Sequence, residues 1–221
     1  MLIAGIDVSH YQGQVDWSKA RTAGISFAFI KATEGLTGKD PMFQRNWTAC
    51  RNLEVLRGAY HFYRPQSDPV GQARQFLETL KDDPGEIPPV LDLESLGSSS
   101  PDDMIAGARR WMRIIETEFD CKPILYTGSA FWRFTLRNSA VFADHPLWIA
   151  HYTSGPKPLL PNAWPRWTFW QFSQQGKVPG IDGHVDLNAF NGTLPDLEAF
   201  CVRKPSPATK RPKTSAEVLS S

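Results

Sequence analysis

A chain of 221 residues, 41% hydrophobic and 21% charged, is long enough to bury one large core, and its net charge of +1 gives it no general attraction for nucleic acid. No apolar run approaches the roughly 20 residues that a membrane span needs. Three cysteines (Cys50, Cys121, Cys201) with no CxxC spacing and five histidines with no HExxH spacing argue against a disulfide framework and a zinc site, so neither metal nor cofactor is expected.

The N-terminal stretch MLIAGIDVSH has no basic start and reaches Asp7 after a few apolar residues. It reads as a first strand, about 2–8, rather than as a signal peptide. A helix-like stretch at 16–23 precedes the strand-like SFAFIKAT (26–33), and a second at 41–52 precedes VLRGAYHF (55–62). Helix 69–82 leads to a strand at 88–94. Helix 102–119 is the clearest of all, because Ile105, Ala108, Trp111, Met112 and Ile115 recur at helical spacing after a Ser-Pro-Asp-Asp start. Strand PILYT (123–127) and a helix-like stretch at 129–137 follow. The strands PLWIAHY (146–152), WTFWQF (167–172) and HVDLNAF (184–190) close the series, joined by Pro/Gly-rich loops too short for helices.

Strand–helix alternation predicts an α/β protein with a parallel sheet covered by helices. The irregular last third favours an irregular, closed or nearly closed (β/α) barrel of TIM-like type, with about eight strands and five helices. An open doubly wound sheet is the alternative. Residues 203–221 carry five Lys/Arg against Glu217, with three prolines, and read as a disordered basic tail. The expected division is therefore a catalytic domain over 1–202 and a tail over 203–221, in a monomer.

Strand 88–94 contains the pattern that points to chemistry. Side chains alternate along a strand, so Val90, Asp92 and Glu94 share one face while Leu91 and Leu93 share the other. Parallel barrels gather their chemistry at the carboxyl ends of strands. Asp7 in GIDVS and Asp186 in HVDLNAF occupy the ends of the first and last strands, and if the sheet closes those strands are neighbours. Asp186 shares its face with Asn188. Crowded carboxyls disfavour joint ionisation, so one holds a proton near neutral pH, which suits cleavage of a glycosidic bond by an acid facing a carboxylate. Glu94, longer and nearer the strand end, is the expected general acid. Asp92 lies deeper, with Asp7 and Asp186 tuning the site. Taken singly, each acid is better read as a turn cap or as the partner of a base such as Lys31; two on one apolar strand with two more on neighbouring ends favour function.

Beyond these acids, the chain resembles the glycoside hydrolase family 25 lysozymes, the Chalaropsis-type N-acetylmuramidases, from about residue 4 to 191. The likeness rests on GIDVSHYQGQVDW, FAFIKATEG, GAYHFY, PVLDLE, ILYTG, LWIAHY, WTFWQFS and GHVDLNAFNG, in that order. It implies an incomplete (β/α) barrel that hydrolyses the β-1,4 bond after N-acetylmuramic acid in peptidoglycan with net retention. The family's acid corresponds to Glu94, its DxE aspartate to Asp92, and its flanking acids to Asp7 and Asp186. Both a carboxylate nucleophile and the substrate's own acetamido oxygen remain open as routes.

The resemblance also places Tyr60, Tyr126 and Trp148 along the cleft for sugar stacking and acetamido contacts. Lys31 and Gln171 become candidates for polar or anionic substrate groups, such as the lactyl or peptide carboxylate. Each aromatic is equally a candidate for the core, and of Trp164, Trp167 and Trp170 at least one is expected there. The implied partner is the glycan strand of the bacterial cell wall, outside the cytoplasm, with the export route open. A chitin-type glycosidase and a non-catalytic carbohydrate-binding barrel are the rival readings, and the intact set of four acids argues against the second.

Overall fold

A computed structural model of the chain describes residues 2–202. The expected tail, 203–221, lies outside the described residues. Nine strands form one sheet: β1 (Ile3–Val8), β2 (Phe27–Glu34), β3 (Gly38–Lys39), β4 (Leu56–Phe62), β5 (Val90–Asp92), β6 (Ile124–Gly128), β7 (Leu147–Ala150), β8 (Phe169–Gly176) and β9 (Val185–Phe190). Because β1 pairs in parallel with β2 and antiparallel with β9, eight strands close into a barrel, and the two-residue β3 adds a small hairpin to β2. From β1 through β2 and β4 to β8 the neighbours run parallel; β9 runs against both of its neighbours. The closed barrel, rather than the open sheet, is the architecture.

Alternation along each strand sorts the core into two shells. Phe27, Phe29, Val90, Ile124, Trp148, Phe169 and Phe190 fill the barrel, whereas Ile6, Ala28, Ile30, Leu91, Leu125 and Ile149 pack outward against the helices. Large rings fit inside because facing positions are small. A Cβ on Gly5 would meet the Phe27 ring at 2.4 Å, and one on Gly58 the Phe29 ring at 2.6 Å. The rings fill the lower barrel. The inward positions one step nearer the carboxyl ends are therefore left for polar groups.

Five α-helices accompany the sheet: α1 (Trp17–Thr22), α2 (Phe43–Asn52), α3 (Pro69–Leu80), α4 (Pro101–Phe119) and α5 (Leu194–Phe200). In α4 the Ser100 hydroxyl accepts from the Asp103 amide at 3.1 Å, Asp102 and Asp103 lie in the positive first turn, and Asp120 ends the helix in the left-handed region at φ 52°. Its fully buried stripe is Met104, Ala108, Trp111, Met112 and Ile115. Ile105 is only partly buried, a shift of one residue from the expected face.

Three departures from the sequence expectations have local causes. The stretch expected as a helix at 129–137 forms a π-helical turn at Phe131–Thr135, which buries Trp132. Strand β8 runs longer than expected, to Gly176, with two register shifts against β9. Helix α5 was not foreseen: Thr193 and Asp196 cap it reciprocally, and Leu197 and Phe200 join the inner cluster, Phe200 lying 5.8 Å from Phe169. No helix among the described residues is long and apolar enough to cross a membrane.

The outer shell contains one titratable group with a clear consequence. His61 is buried between strand and helix, stacked on Trp111 at 5.6 Å, and held by the Thr33 hydroxyl (2.7 Å) and Gln72 (3.0 Å). Burial lowers its pKa from 6.5 to about 4. As pH falls below 6.5 the unfolded chain gains a proton that the folded chain refuses, so stability is lost progressively until about pH 4. At roughly 1.4 kcal/mol per unit, the loss totals about 3 kcal/mol. Urea unfolding of the wild type and His61→Asn from pH 8 to 4 is expected to show this loss as the difference between the two, which cancels the acids that titrate over the same range. A difference that stays constant with pH would assign the loss to other groups.

Candidate active site

The inward alternation that puts rings in the lower barrel puts Asp7, Lys31, Tyr60, Asp92, Tyr126, Gln171 and Asp186 at its mouth. Asp7 and Asp186 are direct register partners across β1 and β9, and Phe62, Asp92 and Tyr126 are neighbours across β4, β5 and β6. The four acids expected from the sequence thus line one rim. Glu94 follows β5 by two residues and is exposed, while Asp92 is 5% exposed, which matches a deep acid below a shallow one.

A buried amide organises the first pair. Gln171, 2% exposed, donates through Nε2 to Asp7 Oδ2 at 2.8 Å and to Asp186 Oδ2 at 3.3 Å. Its Oε1 accepts from the Tyr126 and Tyr152 hydroxyls, both at 2.9 Å. Both amide hydrogens and both acceptor positions are therefore in use. Gln171, a candidate for polar substrate groups, here fixes four side chains that face the cleft. Asn188 adds a second donor to Asp7 Oδ2, at 2.7 Å, and is itself held by the Trp148 indole N–H at 2.7 Å.

Of the two places open to Trp148, cleft wall or core, it takes the core. It is 2% exposed, stacked on Phe29 at 4.0 Å and tilted against Tyr126 at 4.4 Å, so its ring is buried and not open to a sugar. Trp148 is the floor of the cup and the anchor of Asn188. Trp164 and Trp170 belong to the outer core, their indole N–H groups donating to the His145 and His151 carbonyls.

Electrostatics follow depth. Burial raises the Asp7 carboxyl well above the usual carboxylate range, and the facing Asp186 carboxylate adds to the shift, against the hydrogen bonds from Asn188 and Gln171. Asp186 is raised by burial, with its hydrogen-bonded contact to Asp7 pulling the other way. Asp92 is also raised well above its ordinary value by burial and by the Glu94 charge. Its Oδ1 is buried with no hydrogen-bond partner among the described residues. Glu94 is raised by burial, with Lys31 and Arg64 pulling the other way. Both acids of the DxE pair are therefore raised, the buried Asp92 by burial and its neighbour's charge and Glu94 by burial against two cations.

Lys31 lies in a charge network rather than free. Its Nζ donates to Glu34 Oε2 at 2.6 Å, Arg64 Nε donates to Glu34 Oε1 at 2.9 Å, and both cations flank the Phe62 ring, at 4.9 and 4.5 Å. Strict alternation would turn Glu34 away from Lys31. A register shift between Lys31 and Thr33 sends Thr33 outward against His61 and brings Glu34 round to the rim. That shift has no mark in the sequence. Asn188 was legible as the face-mate of Asp186, whereas Tyr152, 48% exposed and beyond the end of β7, stands where no periodicity extends. Burial and the neighbouring Asp186, Asp7 and Glu94 charges raise the Tyr152 hydroxyl above its ordinary pKa, so it remains a donor.

Comparison with known proteins gives a consistent result. Residues 6–181 match the model of "Glycosyl hydrolases family 25". The chain is 43% identical over 203 residues to the Escherichia coli K12 protein YegX, covering 90% of this chain and 73% of that one. It is 37% identical over 212 residues to lysozyme M1 of Streptomyces globisporus, covering 90% and 71%. The crystal structure of a Streptomyces coelicolor lysozyme superposes with a TM-score of 0.82 at 36% identity, covering 90% of this chain and 96% of that one. With the family model spanning most of its length and the barrel reproduced, this chain belongs to glycosyl hydrolase family 25.

Proposed function

We propose that this glycoside hydrolase is a lysozyme, an N-acetylmuramidase that cleaves the β-1,4 bond between N-acetylmuramic acid and N-acetylglucosamine in peptidoglycan. The observation that carries the reading is the arrangement of acids: Glu94 exposed on the rim above a buried Asp92, facing the Asp7–Asp186 pair. Glu94 is the proton donor to the leaving oxygen. It is the one acid of the set that a polymer lying across the mouth meets first, and its raised pKa keeps the proton available above the usual range.

Asp92 has a complementary part. A buried carboxyl oxygen with no protein partner is completed by a donor on the substrate, and the N–H of a 2-acetamido group supplies one. That hydrogen bond favours the ionised form of Asp92, so binding lowers its pKa while the covering sugar raises that of Glu94. Substrate thereby moves the proton to the residue that uses it. The same bond turns the acetamido oxygen toward the anomeric carbon, which favours the substrate-assisted route over a carboxylate nucleophile. Tyr60 and Tyr126 line the cleft beside it, and Lys31 with Arg64 offers positive charge to the lactyl or peptide carboxylate.

Digestion of purified peptidoglycan followed by mass analysis tests the reading. New reducing ends are expected on muramic acid, with chitin oligosaccharides turned over at least about 10²-fold more slowly, because the site would lack its lactyl contacts. Reducing ends on glucosamine, or equal turnover of chitin, would overturn the assignment. Peptidoglycan as substrate places the work of the enzyme at the bacterial cell wall.

A further inference from the structure

The most exposed large apolar side chain at the mouth has no part in the acid site. Tyr11 is 81% exposed, and it lies in a 3-10 turn, His10–Gln12, that leaves the carboxyl end of β1. Four residues of chain separate it from Asp7, a span of at most about 14 Å.

Exposure alone would say little, since single surface aromatics are ordinary. The support beneath this one is not. The Tyr11 ring leans on the His10 imidazole, centroids 4.2 Å apart and planes at 36°. His10 is fixed twice to Asp40 Oδ2, through its amide at 2.9 Å and its Nδ1 at 2.8 Å. Asp40 is buried, and its other oxygen accepts from the Met42 amide at 2.9 Å. Ser9 and Gln12 cap the turn reciprocally. A water-facing aromatic thus stands on a stacked histidine, a buried carboxylate and a doubly capped turn, with its own outer surface unused.

We infer that Tyr11 is a sugar platform: it stacks on a pyranose of the glycan strand beyond the two units that flank the cleaved bond, and so sets a preference for long chains. A flat ring with one fixed orientation loses little freedom when a sugar lies on it, and the axial C–H face of a pyranose matches the electron-rich face of a phenol. The occupant is a further unit of the same strand, because the turn rises from the strand that carries Asp7. The inference rests on the reading of the site as a glycan-cleaving cleft.

The test compares kcat and KM on peptidoglycan oligosaccharides of graded length for the wild type, Tyr11→Ala and Tyr11→Trp. Tyr11→Ala is expected to raise KM about tenfold on the longest oligomer, the size of effect one aromatic contact supplies, with kcat held within about twofold. On the shortest oligomer that the wild type cleaves, KM is expected to be unchanged, and Tyr11→Trp is expected to keep wild-type values throughout. Unchanged KM at every length would overturn the platform and leave the glycosidase reading standing. An equal loss at every length, carried by kcat, would overturn it in favour of a structural effect on Asp7. A wild type that cleaves none of these oligomers would remove both readings together.

Discussion

Glu94→Gln is expected to lower kcat on peptidoglycan by about 10²–10⁴-fold while leaving the fold intact. The substitution keeps the side chain's shape and its place on the exposed loop after β5, and it removes only the transferable proton. Binding is expected to change far less than turnover, since the amide still fills the mouth, so the loss falls on kcat rather than on KM. The pH profile adds a second, independent sign. Protonated Glu94 is the active form, and burial raises its pKa, so the alkaline limb of the wild type is expected above the ordinary glutamate value of 4.5. In the variant that limb should vanish from whatever residual activity remains. Wild-type turnover by Glu94→Gln, with the alkaline limb in place, would remove Glu94 from the mechanism and leave Asp186, on the facing wall, as the next group to test.

The strand pattern made most of this architecture legible. Period-2 alternation in GIDVS, PPVLDLE and HVDLNAF assigns Asp7, Asp92, Glu94 and Asp186 each to one face of its strand, and closure of the sheet pairs Asp7 with Asp186 across β1 and β9. What the pattern could not carry depends on contacts between distant segments. Gln171 sits where alternation puts it, yet its partners use up what it has to offer, so a residue in the right place is not thereby free for substrate. Trp148 shows the converse. Its aromatic ring suggests a sugar platform, but its depth in the barrel packs that ring against Phe29 and Tyr126. Helix α5 was missed because seven residues carry too short a period to stand out, although its capping pair Thr193 and Asp196 was in view.

Asp92→Asn is expected to reduce activity by about 10²–10³-fold and, at neutral to alkaline pH, to make the protein more stable. The stability half of the claim follows from linkage. Burial raises the folded-state pKa of Asp92, so the folded chain keeps a proton that the unfolded chain has already released. The favourable contribution of this group is complete below its ordinary value of 3.8 and is lost as pH rises through the raised value. Asparagine has no such proton to lose. The stability difference between variant and wild type therefore widens with pH and levels off once Asp92 is ionised in both states. Ionising a buried oxygen that has no partner costs on the order of 2 kcal/mol, which corresponds to a Tm higher by about 4–8 °C for the variant in a chain of this size. Calorimetry at pH 5 and pH 9 reads the difference directly. A gap of equal size at both pH values would mean that Asp92 does not retain its proton in the folded protein. The account of substrate binding as the event that transfers that proton to Glu94 would then fall with it.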